Sequence, residues 1–562
     1  MPASDATILD NFFPAPNGVT LRSGSRNHVT GIPLALNTLA GYRSPTASHL
    51  FAFAGGAIYD VTGGAIASLI YSPGTGYCSL ATPAPHGKNN GDIVTVSGVT
   101  PPGYNGTFSI TVVNPSLFTY IPIVAPVILV GTGGNYSPSA ATTPVVTGLS
   151  NPRFQHINFG TAGGAFMYCV NGEDKAQLYN GTAWIAVDGG STPAITGVAT
   201  TLFIHVNAYK GRLFFTEKDS LRVWYLPPAS VGGLALSVDL SAFFTRGGHL
   251  MGMCSWSLDS AAGVEDYAVF VSSEGEVLVY AGNDPSAAIS WKLVSHFRMG
   301  RPLGRRFYTK FGGNVIIMTD AGFYPLSEAL LSDQTQPSSA ITDKIVNSVT
   351  TDASLYFDNF GWQAVLFPGT NKLIFNVPVV EGVQQYQYVM STISGAWCRY
   401  VGWTANCFEQ IDGRIFYGSN ISGGLSSVIE CEVGSDDNGL FITGYCNQAQ
   451  TDFGQPAQIK QFQMIRPTIQ SQNNFGISAA INVDFSGNVL LNTPSVNYIQ
   501  PSEWNVAIWN EASWGLGDTT YDQWIGVNGI GYTGGVVLQL SSKGCCVRWQ
   551  KTDFLFTSGR VL

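Results

Sequence analysis

Short runs of alternating apolar and polar residues, each followed by a turn and a second run, recur along the chain. Residues 269–279 are one example, with valine at alternate positions on both sides of a Glu-Gly-Glu sequence. Alternation with a period of two indicates β-strands, and Gly275 can adopt the positive φ that a tight hairpin turn requires. The pattern predicts a hairpin with Glu274 and Glu276 at its solvated turn. The alternative is a pair of catalytic carboxylates.

Seven strand–turn–strand units of this kind can be recognised. They begin at residues 49, 165, 212, 268, 315, 373 and 414. Five of the six gaps between them are 41 to 58 residues long, close to the repeat of about 40 to 50 residues that propeller blades show. The repeat predicts an all-β chain with a β-propeller of six to eight blades within residues 37–440.

The first gap, of 116 residues, is the exception. Removal of residues 72–138 shortens it to 49, and this segment has strand patterns of its own around a PPGYNG turn. We therefore predict a small inserted β-domain at 72–138. The propeller then comprises 37–71 and 139–440, and residues 1–36 form an N-terminal arm.

The remaining segments differ from the repeat. Ser338 and Ser339 can cap a helix on which Ile341, Ile345 and Val349 share one face. Residues 441–562 have the pattern of a separate β-sandwich domain. They include a cluster of tryptophans at 504, 509, 514 and 524. These rings could stack on sugars as in a lectin, or they could fill a sandwich core and subunit contacts.

Composition narrows the classes of function. Only 11% of the 562 residues are charged, and the net charge is −9, which argues against tight wrapping of nucleic acid. A monomer with so few charged residues tends to self-associate. We therefore expect other subunits to cover part of the surface.

Localisation signals are not apparent in the sequence. The first residues lack the basic and apolar regions of an export signal, and the apolar run at 120–133 is short and contains Pro122 and Pro126. Nine cysteines without CxxC spacing predict neither a disulfide framework nor a zinc site. We expect synthesis in a reducing cytoplasm and no membrane insertion.

No familiar catalytic motif is found. GxSxG, HExxH, GxxxxGK[ST] and a GxGxxG after a strand are all missing, and the seven histidines stand singly. Three acids near predicted turns, Glu274, Asp320 and Asp437, leave open a propeller glycosidase, which needs two carboxylates about 5 to 9 Å apart. We nevertheless expect no enzyme activity, no cofactor and no metal.

A basic stretch at 298–310 holds five of the 27 basic residues. Its arginines are Arg298, Arg301, Arg305 and Arg306. An arginine fork suits carboxylates across a subunit boundary as well as phosphates. Because the chain has a net charge of −9, we predict that this loop faces a neighbouring subunit or the acidic surface of another partner. DNA phosphate contact is the alternative.

Several segments resemble a known family. NFFPAPNGVTLRSGSRNHVTGI and LFAFAGGAIYDVT near the start, and KGRLFFTEKDSLRVWYLPPASVGG through MGRPLGRRF in the middle, resemble the tail nozzle (tail-tubular) proteins of short-tailed bacteriophages. The inserted stretch ATPAPHGKNNGDIVTVSGVTPPGYNGTFSITVVNPSLFTY resembles a small Ig-like module found in phage structural proteins. Together these segments cover about two thirds of the chain, and residues beyond 441 match least clearly.

The resemblance implies a structural protein of the phage tail in the virion. Its subunits would form a six-fold ring below the portal and adaptor, a homo-oligomeric conduit for DNA ejection. The head-to-tail adaptor and tail fibre or needle proteins would be partners, with double-stranded DNA passing through transiently. A virion adhesin or lectin for host-surface glycans is the alternative, ahead of a propeller glycosidase.

Overall fold

The computed structural model of the chain describes residues 5–559 except 46, 84–85, 87, 89, 139–143, 261–262, 288, 331–339, 421–423, 488, 490, 492–494 and 497–518. Strands dominate this part of the chain, and its longer α-helix, Val346–Tyr356, has only 11 residues. The all-β class predicted from the alternating pattern is confirmed.

Seven antiparallel blades form a propeller, and blade 6 is one end of a larger sheet of nine strands. Blade 1 consists of Leu36–Arg43, Ser48–Ala54, Ala57–Asp60 and Val146–Thr147. Blade 2 consists of Gln155–Thr161, Gly164–Val170, Ala176–Tyr179 and Trp184–Val187. Blade 3 consists of Phe203–Tyr209, Arg212–Glu217, Arg222–Tyr225 and Leu236–Asp239. Blade 4 consists of Leu250–Ser260, Gly263–Ser272, Glu276–Ala281 and Lys292–Arg298.

The remaining three blades complete the ring. Blade 5 has three strands, Tyr308–Phe311, Asn314–Thr319 and Gly322–Pro325. Blade 6 consists of Gln363–Phe367, Lys372–Val380, Gln384–Ser391 and Trp397–Val401. Blade 7 consists of Ala405–Ile411, Arg414–Ser419, Leu425–Cys431 and Ser25–Pro33. Each of the seven predicted units contributes to a different blade, because the alternation that defines it marks a hairpin of that blade: the central hairpin in the four-stranded blades and the last two strands in blade 5.

The first strands of the blades surround the propeller axis, and those of blades 1 and 7 contact each other. Four of these strands have a register shift near their start. The shifts lie at Leu36/Thr38, Phe203/His205, Leu250/Gly252 and Ala405/Cys407. A bulge bends a strand and changes the direction of the side chains beside it. The repeated irregularity therefore shapes the inner wall of the ring.

The N-terminal residues do not form a separate arm. Ser25–Pro33 pairs with Leu425–Cys431 and is the outer strand of blade 7, while Ala6–Asp10 pairs with Ile442–Gln448 of the C-terminal region. The division at residue 36 misses this arrangement because strand pairing across about 400 residues leaves no local trace in the sequence.

The insert leaves blade 1 after Ala57–Asp60 and forms two packed sheets. One sheet contains Ser68–Ser72, Tyr77–Ala81, Thr111–Asn114, Leu117–Tyr120 and Val130–Gly131. The other contains Gly64–Ala65, Ile93–Ser97, Gly106–Ser109 and Asn135–Pro138. Its own core includes Leu69, Phe118 and Tyr136. Its first strands precede the predicted start at residue 72.

A second sandwich joins the two ends of the chain. Its first sheet contains Ala6–Asp10, Ile442–Gln448, Phe475–Val483, Ser495–Val496 and Gly534–Ser542, and it continues into blade 6 through Asp10 opposite Arg399. Its second sheet contains Phe12–Ala15, Gly18–Leu21, Lys460–Ser471, Thr519–Asp522, Ile525–Gly531 and Val547–Ser558. Phe12 and Trp549 pack in the core between them.

The predicted helix is present but begins later than expected. A 3-10 turn, Asp343–Ile345, leads into Val346–Tyr356. Val349 is buried against blade 6, and Ile341 and Ile345 pack beside it. The proposed caps, Ser338 and Ser339, lie outside the described residues. A second helix, Leu326–Leu330, and the 3-10 turns Pro102–Tyr104, Thr200–Leu202 and Pro368–Thr370 are shorter.

Candidate functional site

The arginines of the basic stretch point in different directions. Arg298 ends blade 4 and is exposed. Arg301 is also exposed and pairs with Asp320, at 2.9 Å between Nε and Oδ2. Arg305 and Arg306, in contrast, are directed at the centre of the ring and line a cavity there. For Arg298 and Arg301 contact with another subunit stays a prediction, while the other two side chains have partners within this chain.

Arg306 connects three blades. Its Nη2 donates to the carbonyl of Asn37 at 3.0 Å and to Thr38 Oγ1 at 2.8 Å in blade 1, and to the carbonyl of Phe154 before blade 2 at 3.2 Å. Its Nη1 donates to Gln363 Oε1 in blade 6 at 3.3 Å. Burial lowers the pKa of this guanidinium, but the hydrogen bonds hold the charge in place. Arg306 therefore braces the inner wall of the propeller.

The central cavity has a volume of about 440 Å³ and is lined by the first strands of six of the seven blades. Asn207 bonds across it from blade 3, donating to Tyr308 Oη at 2.8 Å and to the carbonyl of Met253 at 2.7 Å. Burial lowers the pKa of His205 to about 4, and the charge of Arg305 adds to the shift. This imidazole is accordingly neutral at physiological pH.

The candidate carboxylates do not line this cavity. Asp320 pairs with Arg301, and Asp437 accepts from both Nη atoms of Arg22 at 3.1 and 2.6 Å. Glu274 is half-buried in its turn. Within the described part of the chain the cavity contains a single carboxylate, Glu409. The two-acid arrangement of a glycosidase is therefore not formed there by these residues.

The hairpin at 269–279 forms as predicted, but one glutamate is placed differently. Gly275 has a φ of +78°, as its turn requires. Glu276, expected in solvent, is 1% exposed. Burial alone would raise its pKa, but hydrogen bonds from Thr245 and Arg246 outweigh this and lower the pKa. A neighbouring loop thus covers a position that alternation assigned to the surface.

A second cavity, of about 490 Å³, lies between blades 1 and 2. Its walls include three aromatic rings, Phe51, Tyr179 and Trp184, in mutual contact at 4.8 to 5.2 Å between centroids. Asp60 lies beside them. Burial opposes ionisation, but the hydrogen bond with His49 and the charge of Lys88 lower the pKa of Asp60 to about 2. Aromatic faces next to a carboxylate form a surface on which a sugar ring can stack and hydrogen-bond.

A surface loop of the insert is strongly apolar. From residue 121, directly after Leu117–Tyr120, to residue 130, the first residue of Val130–Gly131, seven large apolar side chains in ten positions are exposed. They are Ile121, Ile123, Val124, Val127, Ile128, Leu129 and Val130, with Val127 at 97% exposure. An exposed apolar patch of this kind marks an interaction surface in soluble proteins. We call residues 121–130 the apolar loop.

The other predicted features have varied outcomes. Trp504, Trp509 and Trp514 lie outside the described residues, and Trp524 is 42% exposed with Arg466 over its ring. The nine cysteines all lie within the described residues, and no disulfide joins any two of them. In the part of the chain that the structure describes, no group of side chains has the make-up of a metal site, and no helix is long and apolar enough to cross a membrane.

The residues that line the central cavity beside the arginines were not predicted from the sequence. The first strands of blades 2, 3 and 7 contain four of them: Gln155, His156, His205 and Glu409. In each of these blades the first strand directly precedes the hairpin that the repeat identifies. The repeat could therefore have indicated these strands as well. It could not have shown which of their side chains point inward, because bulges interrupt the alternation.

The sequence matches no protein-family profile and no curated protein. Among solved structures, the chain is similar to a phage phi92 endosialidase (12% identity, 57% of this chain and 62% of that chain covered, TM-score 0.26). It is also similar to the Aleuria aurantia lectin (13% identity, 49% and 93% covered, TM-score 0.26). A third is a glycoside hydrolase family 43 enzyme from Bacillus subtilis (9% identity, 95% and 97% covered, TM-score 0.18). Likenesses this distant do not bear on function.

Proposed function

We propose that this protein is a structural subunit of a bacteriophage tail and assembles with further copies into a ring-shaped conduit for DNA. The apolar loop is the observation that carries the proposal. Seven large apolar side chains exposed on one loop are unfavourable in a free monomer and become favourable once another subunit covers them. The resemblance of the sequence to tail nozzle proteins supplies the identity of the assembly.

Charge is consistent with this function. With a net charge of −9 the chain repels the phosphate backbone on average. Two arginines of the basic stretch at 298–310 that could grip DNA, Arg305 and Arg306, instead point into the small central cavity of the propeller. A conduit built from such subunits would let the genome slide rather than hold it.

Assembly tests the proposal directly. We expect sedimentation velocity of the purified chain, alone and mixed with the phage's adaptor, to show a ring of several copies. Ile123→Asp with Val127→Asp should prevent it, because buried charge without a partner opposes association. Ile289→Asp is the matched control, since Ile289 is 89% exposed on blade 4 and outside the loop. A chain that stays monomeric with the adaptor, or a double variant that assembles normally, would refute the proposal.

The cavity between blades 1 and 2 supports a second candidate, glycan binding by a virion adhesin. Trp184 Nε1 is a buried donor with no hydrogen-bond partner among the described residues. It lines the same cavity as the ionised Asp60 and the ring of Tyr179. A donor, an acceptor and an aromatic face in one cavity are the groups that recognise a sugar.

A glycan array with the intact chain distinguishes this candidate. Specific binding that is lost in Trp184→Ala and kept in Trp524→Ala would support it, because Trp524 is exposed in the C-terminal sandwich, away from this cavity. Absence of binding to any glycan on the array, with normal ring assembly, would leave the conduit function alone.

A further inference from the structure

The central cavity of the propeller has an excess of positive charge. Among the described residues its lining includes Arg305, Arg306 and Lys310 but one carboxylate, Glu409. That carboxylate already faces His156, at 3.3 Å between Oε2 and Nε2. Like charges that are partly removed from water repel each other and lose hydration, so this cluster favours the entry of an anion.

Arg305 is the side chain most available to such an anion. Unlike Arg306, it makes a single hydrogen bond among the described residues, from Nη1 to the carbonyl of Asn171 at 3.0 Å. No described carboxylate lies within ion-pair distance of it. A guanidinium carries five N–H donors in a planar fork, which fits the two oxygens of a carboxylate. Most of these donors have no partner in the part of the chain that the structure describes and can bind a ligand.

Two buried polar groups on the same wall also lack partners. Gln155 is 8% exposed and His205 4% exposed, and both line the cavity. Gln155 Nε2 and His205 Nδ1 have no hydrogen-bond partner in the part of the chain that the structure describes. Buried polar atoms without partners are rare in folded proteins because they destabilise them. A polar ligand in the cavity would provide the missing partners.

We propose that the central cavity is a binding site for a small carboxylate-bearing ligand or an oxyanion of similar size. Arg305 supplies the charge, and Gln155 and His205 supply further hydrogen bonds. A volume of about 440 Å³ accommodates a molecule the size of an acidic monosaccharide. The site lies inside one subunit and does not depend on ring assembly, so its failure and that of the assembly are distinguishable.

Isothermal titration calorimetry of the full chain with glucuronate, inorganic phosphate and glucose tests the charge requirement. We expect glucuronate to bind and neutral glucose not to bind. Phosphate binding as tightly as glucuronate would support the site and assign it to oxyanions in general. No binding of either anion, or equal binding of glucose, would overturn the proposal.

Three variants test the location. Arg305→Gln should weaken glucuronate binding at least tenfold, while Arg298→Gln, exposed at the end of blade 4, should bind as the wild type. Gln155→Leu should weaken binding without lowering the melting temperature, because it replaces an unpartnered buried amide by an apolar side chain. If Arg305→Gln fails to fold, the affinity of Gln155→Leu for glucuronate tests the location of the site. Unchanged affinity in a folded Arg305→Gln or in Gln155→Leu would place the site elsewhere.

Discussion

At the scale of single residues, the charged side chains of this chain are used mainly within the fold. Arg306 donates to acceptors from blades 1 and 6 and from the segment before blade 2. Arg22, 3% exposed, holds Asp437 in a bidentate pair and donates to Asn11 Oδ1 at 2.9 Å. Arg22 and Arg306 therefore each satisfy several partners within the fold.

Arg306→Met is expected to destabilise the protein by about 3 kcal/mol. The substitution leaves buried carbonyl oxygens of Asn37 and Phe154 without their charged donor. Urea unfolding followed by tryptophan fluorescence measures the change. Arg298→Met, at an exposed site, should change stability by less than about 0.5 kcal/mol. Equal stability of the two variants would contradict a bracing function for Arg306.

The burial of His28 predicts that the folded protein loses stability in acid. The imidazole is buried, and its Nε2–H donates to the carbonyl of Val61 at 2.9 Å. Burial lowers its pKa from 6.5 to about 3, with Arg414 adding to the shift. Between these two values the unfolded chain binds the proton and the folded chain does not. Stability is therefore complete above about pH 6.5 and falls as the pH is lowered toward 3, by about 1.4 kcal/mol per pH unit.

The comparison of His28→Gln with the wild type isolates this contribution. Urea unfolding at pH 4.5, 5.5, 6.5 and 7.5 should give a slope for the variant that is smaller by about that amount below pH 6.5. His249→Gln, where the side chain is half-buried, serves as the control. Parallel slopes for wild type and His28→Gln would show that His28 is not buried as a neutral imidazole.

At the scale of elements, the blades and the insert are separate units of packing. The insert has its own core and enters and leaves the propeller at one edge of blade 1. The central hairpins of the blades were predictable, because each combines period-two alternation with a turn residue. The outer strand of blade 7 was not, because its partner strand lies about 400 residues away.

Replacement of residues 64–138 by a short Gly-Ser linker should leave the rest of the protein folded. An insertion at the outer edge of a blade adds little to the packing between blades. Circular dichroism should keep its β-type spectrum, and the melting temperature should change by a few degrees at most. Deletion of blade 2, residues 155–187, is the control and should give insoluble protein. Insolubility of both deletions would show that the insert is part of the propeller core.

At the scale of the whole molecule, the N-terminal segment links its two bodies. Residues 5–21 supply strands to both sheets of the C-terminal sandwich, and Ser25–Pro33 completes blade 7. The ring closure and the sandwich thus depend on the same 30 or so residues.

Removal of residues 1–33 should abolish folding of both bodies. Deletion exposes the edge of Leu425–Cys431 and removes Phe12 from the sandwich core. Insoluble expression is expected, with recovery of soluble protein when residues 1–33 are co-expressed as a separate peptide. Soluble truncated protein with a wild-type melting temperature would contradict this account.

The sequence by itself determined the strand class, the seven hairpins and the existence of an insert, because these features depend on local alternation and turn residues. The tertiary structure alone decided three further features: the burial of Glu276, the inward direction of Arg305 and Arg306, and the pairing of N-terminal with C-terminal strands. Each depends on which distant segment covers or pairs with a residue. The hydrophobic period and the residue type specify on which face of a strand a side chain lies. Only the folded ring specifies which segment packs against that face.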